Sequence, residues 1–184
     1  AELAERLQLL ESEQRATALD QTDALNSFTE QSRTLGEIFG KEAEVEERLT
    51  AIEEQVEETK ARTADAGTAM FLMTSAGEVN AYGPESRFGN IVFDLLGFGS
   101  AADVQAEGTH GEAVSFEAIA DADPDHLFVL DRDTAIGQSG GEAARQVLDN
   151  ELVNGTTAAR QDRITYVDSA SWYLVGLGLD NFPA

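Results

Sequence analysis

The stretch DPDHLFVLDRD, residues 123–133, carries the strongest strand signal in the sequence. Its apolar centre follows an Asp-Pro-Asp turn and runs directly into charged residues, which is typical of a buried strand. Short β-prone runs alternate with helical ones on both sides of it, over residues 68–168. This alternation predicts an α/β layer with a largely parallel sheet. Ligands bind beyond the carboxyl ends of such strands, so we expect functional loops after Tyr82, Asp131 and Asp168.

Hydrophobic periodicity and turn residues predict the neighbouring elements. The predicted strands are Ala69–Thr74, Glu78–Tyr82, His126–Asp131 and Ile164–Asp168. The predicted helices between them are Ser86–Leu96, Val114–Ala120 and Glu142–Asp149.

The first 66 residues read as helix, because they contain no proline and only two glycines. One helix is predicted at Ala24–Phe39. A second is predicted at Glu42–Ala66, with Gly67 as its stop signal. Apolar residues recur in this second helix at spacings of 4, 3 and 4 residues, at Val45, Leu49, Ile52 and Val56. The pattern fits an amphipathic helix packed on a neighbouring domain, and a coiled coil is the alternative.

The charge balance excludes several classes of protein. The chain has 35 acidic and 12 basic residues, a net charge of -23, and no cysteine. It therefore offers no broad basic face for nucleic acid or for anionic membranes, and no disulfide or thiolate metal site. No apolar run is long enough to span a bilayer. An anionic ligand would have to meet the few arginines of residues 67–184, which are Arg87, Arg132, Arg145, Arg160 and Arg163.

Common catalytic and phosphate-binding motifs are not matched. The Gly97-Phe98-Gly99 run follows a helix instead of a strand, and no lysine follows Gly137–Gly141. No serine lies in a nucleophile elbow, and no carboxylate pair is typical of a hydrolase. None of these common motifs therefore supports an enzymatic function.

Four segments carry candidate ligand-binding side chains. They are YGPESRFG (82–89), GTHG (108–111), DRD (131–133) and WYL (172–174). Arginine offers a planar fork to oxygen anions, while imidazole and phenolate groups are metal ligands. The alternatives are that Arg132 pairs with an adjacent aspartate, that His110 is an ordinary loop residue, and that Trp172 and Tyr173 only pack at the rim.

Taken together, these segments resemble the iron–siderophore substrate-binding proteins of bacterial ABC importers. The similar subgroup takes catecholate siderophores such as enterobactin fragments and petrobactin. The resemblance covers residues 24–180. Its matching stretches are TLGEIFGK (34–41), AYGPESRFG (81–89), GTHG (108–111), DPDHLFVLDRD (123–133), QVLDNELV (146–153) and YVD with WYL (166–174).

The resemblance implies a fold in which two α/β lobes are joined by one long helix. Residues 1–41 would then be a helical segment from the end of the N-terminal lobe or the hinge region. Residues 42–66 would be the inter-lobe helix, and residues 67–184 a truncated, Rossmann-like C-terminal lobe. The N-terminal lobe would be largely absent from this chain.

The resemblance also implies capture of a ferric catecholate siderophore for iron uptake, without enzymatic chemistry or a permanent cofactor. Arg87 and Arg132 would meet the anionic complex, with Tyr82 and Trp172 as further ligand contacts. His110 and Tyr173 would ligate the Fe(III) of a tetradentate siderophore. The expected protein is extracytoplasmic, in the periplasm or as a surface lipoprotein. It would be a monomer at full length and would dock on a membrane permease.

Two other functions stay open at this point. One is a haem or cobalamin carrier of the same architecture. The other is a helical dimerisation module, in which residues 1–66 associate and the α/β part binds no ligand.

Overall fold

The computed structural model describes residues 24–104, 111–138, 143–176 and 178–180. Its contacts divide the chain into two compact units, one formed within residues 1–58 and 177–184 and the other by Thr59–Gly176. The domain boundaries implied by the resemblance, at residues 41 and 66, stay a prediction. None of the helices within the described ranges has the length and apolar character needed to cross a membrane.

Two helices begin the described chain, α1 at Ala24–Phe39 and α2 at Glu42–Thr63. The apolar stripe predicted for α2 is confirmed, because Val45, Leu49, Ile52 and Val56 are all buried. Helix α1 approaches it closely at Gly36, where an added Cβ would lie 3.0 Å from Cγ2 of Val45. An exposed ion pair of 2.7 Å between Arg33 and Glu46 joins the same two helices.

Thr59–Gly176 is built on one mixed sheet. Its strands are β1 (Thr68–Ser75), β2 (Glu78–Tyr82), β3 (Gly99–Ser100), β4 (Glu112–Ala113), β5 (His126–Asp131) and β6 (Ile164–Tyr166). Their order is β4-β2-β1-β5-β6, and β3 pairs with the beginning of β1. The pairs β1–β5 and β5–β6 are parallel, as expected for a largely parallel sheet, and the pair β1–β3 is parallel too, although β3 was not predicted. The sheet is not parallel throughout, because β2 pairs antiparallel with β1, and β4, which was not predicted, pairs antiparallel with β2.

The reversal of β2 follows from the turn that precedes it. Ala76 and Gly77 form a two-residue loop with φ of 51° and 81°, and Ser75 pairs directly with Glu78. Positive φ at both central positions is the geometry of a type I′ hairpin, whose twist matches that of the strands. The turn therefore sends β2 back along β1, so β2 cannot lie parallel to it.

Short helices cover one face of the sheet. They are α3 (Phe116–Ala122), α5 (Ala144–Val147), α6 (Glu151–Asn154) and α7 (Thr157–Arg160), whereas α4 (Arg132–Ala135) directly follows β5 at its carboxyl end. Met70 and Leu72 of β1 point into this layer and join a core with Ile119 and Val153. Helix α3 begins two residues later than predicted, because the Ser115 side chain caps it by accepting a hydrogen bond from the Ala118 N–H at 3.2 Å.

The opposite face carries a second core around Ala69, Phe71 and Met73. The alternation of β1 side chains divides the two cores, since successive residues of a strand point to opposite faces. Two π-helical turns contribute side chains to this second core, at Ile91–Leu95 and Ser171–Val175. The helix predicted at Ser86–Leu96 is thus a tight loop followed by a π-helical turn, and Gly97 ends it with a φ of 78°.

Candidate functional site

An aromatic platform covers the second face of the sheet. Phe71 of β1 lies at its centre, stacked on Phe88 at 5.4 Å and on Trp172 at 5.6 Å between ring centroids. Phe88 in turn lies 6.4 Å from the Tyr173 ring in a stacked arrangement. Ring contacts of this kind stabilise beyond the area that they bury, so these side chains hold one another in place.

The loop after β2 directs Phe88 inward and Arg87 outward. The Ser86 hydroxyl donates to the Gly83 carbonyl at 2.6 Å and accepts from the Gly89 N–H at 3.1 Å. The loop is so tight that a Cβ on Gly89 would lie 1.9 Å from the Gly83 oxygen, which makes glycine necessary there. Phe88 is 3% exposed, whereas Arg87 is exposed to solvent.

Arg132 lies at the carboxyl end of β5, at the beginning of α4. Asp131 caps this helix, accepting from the Thr134 N–H at 2.9 Å, and its other oxygen accepts from the Ala144 N–H at 3.0 Å. Asp133 accepts from the Ala76 N–H at 2.7 Å. Both aspartates beside Arg132 are therefore engaged with backbone groups, which argues against the alternative of a simple local ion pair.

Both arginines converge on Tyr173. Arg87 donates from Nη2 to the Tyr173 carbonyl at 2.9 Å, and Arg132 donates from Nε to the Tyr173 hydroxyl at 2.8 Å. The guanidinium carbons lie 5.9 Å and 5.6 Å from the centre of the Tyr173 ring, within the range of cation–π attraction. Arg132 also donates from Nη1 to the Ser75 hydroxyl at 3.2 Å. The hydrogen bond to Tyr173 raises the pKa of Arg132 above its ordinary value.

The site is thus a pair of cations over an aromatic floor in a strongly acidic chain. Two guanidinium groups that contact the same tyrosine offer charge-assisted hydrogen bonds to an anionic ligand. The half-buried rings of Trp172 and Tyr173 offer flat apolar surface beside them. This combination suits a ligand that is both anionic and aromatic.

Four of the predicted site residues are brought together, namely Arg87, Arg132, Trp172 and Tyr173. Tyr82 lies deeper, only 3% exposed, with its ring edge-on to Phe88 at 5.2 Å and its hydroxyl 3.7 Å from Sδ of Met73. Burial raises the pKa of the Tyr82 hydroxyl. Tyr82 supports the platform from below, and its direct contact with a ligand stays a prediction. His110 lies outside the described residues.

The segments that follow Tyr82, Asp131 and Asp168 carry Arg87, Arg132 and Tyr173, which lie together, although the expected reason holds only in part. Asp131 is the last residue of the parallel strand β5, as predicted, whereas the parallel strand β6 ends at Tyr166, two residues before Asp168. The carboxyl end of β2, at Tyr82, instead lies opposite Phe71 in the middle of β1. Arg87 reaches the site because the loop after β2 passes over the aromatic face.

Sequence reasoning missed three residues that shape the site: Ser75, Phe71 and Phe88. Phe71 lies in a predicted strand and Phe88 adjoins a predicted arginine, so both could have been found from strand alternation and from the YGPESRFG segment. Ser75 could not, because its position depends on the register that pairs Thr74 with Asp131 across β1 and β5. Within the described ranges, no cluster of three or more His, Asp or Glu side chains could hold a metal ion.

Comparison with known proteins identifies close relatives. The chain is similar to the petrobactin-binding protein YclQ of Bacillus subtilis, with 36% identity over 165 residues that cover 89% of this chain and 51% of that protein. The crystal structure of YclQ matches with a TM-score of 0.78 over 85% of this chain and 54% of that chain. The periplasmic catecholate-siderophore binding protein VctP of Vibrio cholerae matches with a TM-score of 0.79 and 32% identity, over 86% of this chain and 56% of that one.

A TroA-like periplasmic binding protein from Xylanimonas cellulosilytica also matches, with a TM-score of 0.79 and 38% identity over 86% of this chain and 55% of that chain. The chain spans about half the length of the curated relatives it matches. Its fold is accordingly the α/β fold of these binding proteins, with a mixed sheet covered by helices. The family model for periplasmic binding proteins matches residues 2–170. The chain therefore belongs to the periplasmic binding protein family.

Proposed function

We propose that this chain forms part of the extracytoplasmic substrate-binding component of an ABC importer, and that it captures ferric catecholate siderophores for iron uptake. The convergence of Arg87 and Arg132 on Tyr173, at 2.9 Å and 2.8 Å, is the observation that carries the proposal. The family and the named ligands of YclQ and VctP support it.

The ligand chemistry matches the site. Catecholate oxygens carry the negative charge of the ferric complex, and arginine pairs with oxygen anions in a planar, directional way. The catechol rings are flat and apolar, so they can lie against Trp172, which is half-buried and stacked on Phe71. Charge and ring contacts together would distinguish a ferric catecholate from a purely ionic or a purely apolar ligand.

The metal is part of the cargo in this proposal. A tetradentate siderophore leaves two coordination positions of Fe(III) open, and Tyr173 and His110 would fill them. A phenolate oxygen and an imidazole nitrogen are both established protein ligands for iron. No bond to carbon forms or breaks, so the protein would be a carrier with no catalytic residues and no permanent cofactor.

The matching family is that of periplasmic binding proteins, which supports a place outside the cytoplasm and delivery of the substrate to a membrane permease. We propose the same for this protein, either free in the periplasm or anchored as a lipoprotein, and monomeric at full length.

The direct test is a titration of the full-length protein that contains this chain with a ferric tetradentate bis-catecholate, followed by tryptophan fluorescence. We expect quenching, and we expect it to fall in a Trp172→Phe variant, since Trp172 is the one tryptophan of this chain. Arg132→Ala and Arg87→Ala should each weaken binding about tenfold or more, the scale of a lost hydrogen bond to a charged group.

Arg163→Ala is the matched control. Arg163 is exposed and immediately precedes β6, so it lies at the end of that strand away from the site. The Arg163→Ala variant should therefore bind the ferric complex as the wild type does. A wild-type protein that shows neither quenching nor a colour change with the ferric complex would overturn the proposed function.

A further inference from the structure

Arg132 is held from two sides by the protein itself. Its Nε donates to the Tyr173 hydroxyl at 2.8 Å and its Nη1 donates to the Ser75 hydroxyl at 3.2 Å. Two of its three nitrogens are thereby committed to the protein. The third, Nη2, has no hydrogen-bond partner within residues 24–104, 111–138, 143–176 and 178–180.

Ser75 itself is fixed by the hairpin that it begins. It is the last residue of β1, and the next residue, Ala76, has a φ of 51°, which is rare for a residue with a Cβ. Such a conformation persists only where surrounding contacts enforce it. Here the Ala76 N–H donates to Oδ2 of Asp133 at 2.7 Å, and Asp133 is only 7% exposed.

These contacts link two chain segments into a closed cycle around the Arg132 side chain. Asp133 follows Arg132 directly in the chain and accepts a hydrogen bond from the Ala76 N–H. Ala76 follows Ser75, whose hydroxyl accepts a hydrogen bond from Arg132. The parallel pairing of Thr74 with Asp131 brings the two segments side by side. The position of the guanidinium therefore depends on the hairpin as much as on the helix that carries it.

We infer that Ser75 and Asp133 are positioning residues that aim Nη2 of Arg132 at the anionic oxygens of the ligand. The inference rests on the proposed function, because it assigns these residues a part in recognising the same ferric catecholate. Neither residue touches the ligand in this scheme. They act through Arg132, which loses less conformational freedom on binding if it is already held in place.

The first experiment measures the affinity of the full-length protein for a ferric tetradentate bis-catecholate in hydroxyl variants. Ser75→Ala removes the acceptor for Nη1 and should weaken binding about fivefold to tenfold. Ser75→Thr keeps the hydroxyl and should restore most of the affinity. Ser100→Ala is the control, because the Ser100 hydroxyl donates to a local carbonyl, that of Ala102 at 2.7 Å, away from the arginines.

The second experiment compares Asp133→Ala with Asp133→Asn. The alanine variant removes the acceptor for the Ala76 N–H and should weaken binding as Ser75→Ala does. The asparagine variant keeps one oxygen acceptor and should bind more tightly than the alanine variant. If the alanine variant does not fold, the Ser75 series still decides the question.

A spectroscopic measurement separates positioning from general stability. The Nε–H of Arg132 is hydrogen-bonded to Tyr173 and should give a slowly exchanging NMR signal, assigned by its loss in Arg132→Lys. We expect Ser75→Ala to speed its exchange and Ser75→Thr to leave it slow. A change in global stability alone would not single out this one signal.

The outcomes distinguish a failure of this inference from a failure of the proposed function. Wild-type binding together with unchanged affinity and unchanged Nε–H exchange in Ser75→Ala overturns the inference but leaves the proposed function standing. Absence of wild-type binding overturns both. Weaker binding in Ser75→Ala with rescue by Ser75→Thr supports the inference.

Discussion

Tyr173 is the residue on which the candidate site depends. Its carbonyl accepts from Arg87 and its hydroxyl accepts from Arg132, so one residue holds both guanidinium groups. Its ring also stacks on Phe88, which ties the cations to the aromatic platform. In the proposed function, the same phenol oxygen would also ligate the Fe(III) of the bound siderophore.

Metal ligation by Tyr173 and His110 predicts a dependence on the denticity of the siderophore. The double variant His110→Ala, Tyr173→Phe should weaken a tetradentate ferric complex about tenfold more than a hexadentate one, which leaves no coordination position open. Affinity titrations with both complexes measure the ratio. Equal losses for the two complexes would contradict direct ligation and would leave Tyr173 as an anchor for the arginines only.

The backbone of Ala76 is strained by its left-handed conformation. A residue with a Cβ pays roughly 1–2 kcal/mol for a left-handed conformation, and the φ of Ala76 is 51°. Asn-Gly is the preferred pair for this hairpin turn. We therefore expect Ala76→Asn to raise the free energy of unfolding by about 1 kcal/mol.

Urea unfolding measures this change, and Gly77→Ala is its matched opposite. The φ of Gly77 is 81°, and no atom lies within 4 Å of a Cβ built there, so only the backbone conformation opposes that substitution. Gly77→Ala should therefore lower stability. A destabilised Ala76→Asn variant would show that the turn is not limited by strain at this position.

At the scale of elements, α2 is a helix whose buried face is correctly predicted from the sequence alone. The four apolar residues of its stripe are the four that are buried, and Leu49 is only 1% exposed. The remaining positions carry mostly charged side chains exposed to water. Burial of one stripe explains why a helix of such acidic composition belongs to a folded unit.

Leu49→Ala should lower the free energy of unfolding by about 2–5 kcal/mol, because it removes buried methyl groups and leaves a cavity. Glu54→Ala is the control on the same helix, since Glu54 is exposed and its loss should change stability by less than about 0.5 kcal/mol. Chemical denaturation of both variants gives the comparison. Similar losses for the two would mean that the stripe does not carry the stability of α2.

At the scale of the whole molecule, two groups at the beginning of β5 link folding to pH. Burial lowers the pKa of His126, which packs against Phe98 at 5.0 Å between ring centroids. Hydrogen bonding by the Thr68 N–H, at 2.9 Å, lowers the pKa of Asp125. In both cases the unfolded chain binds protons more readily than the folded one, so acid favours unfolding.

The two groups lose their contributions to stability in two separate pH ranges. The contribution of His126 is fully present above its ordinary pKa of 6.5 and is lost as pH falls from there towards its lower folded pKa. That of Asp125 is lost only as pH falls below 3.8. His126→Phe should therefore flatten the fall in stability between about pH 7.5 and pH 5.5, measured by urea unfolding. An unchanged pH dependence in this variant would contradict the assignment to His126.

The net charge of -23 acts across the molecule as well. It disfavours the approach of an anion, so Arg87 and Arg132 must provide attraction locally. The structure supports this reading, because the aspartates beside Arg132 are turned to backbone N–H groups and the guanidinium is directed to Tyr173 and Ser75.

The sequence by itself determined the elements and the chemistry of the candidate site. Strand β5, helix α1 and the buried stripe of α2 follow from local periodicity, which depends only on which neighbours along the chain are apolar. Arg87, Arg132, Trp172 and Tyr173 were recognisable as candidates from their segments and from the resemblance to siderophore carriers.

Tertiary structure decided how those parts combine. The direction of β2 depended on a two-residue turn with positive φ at Ala76, and alanine rarely adopts such a conformation, so the sequence does not predict it. The roles of Ser75 and Asp133 depended on the register between β1 and β5, which brings together residues 57 positions apart. Periodicity reports only local preference, whereas the convergence of two arginines on one tyrosine is a long-range contact that exists only after the sheet has formed.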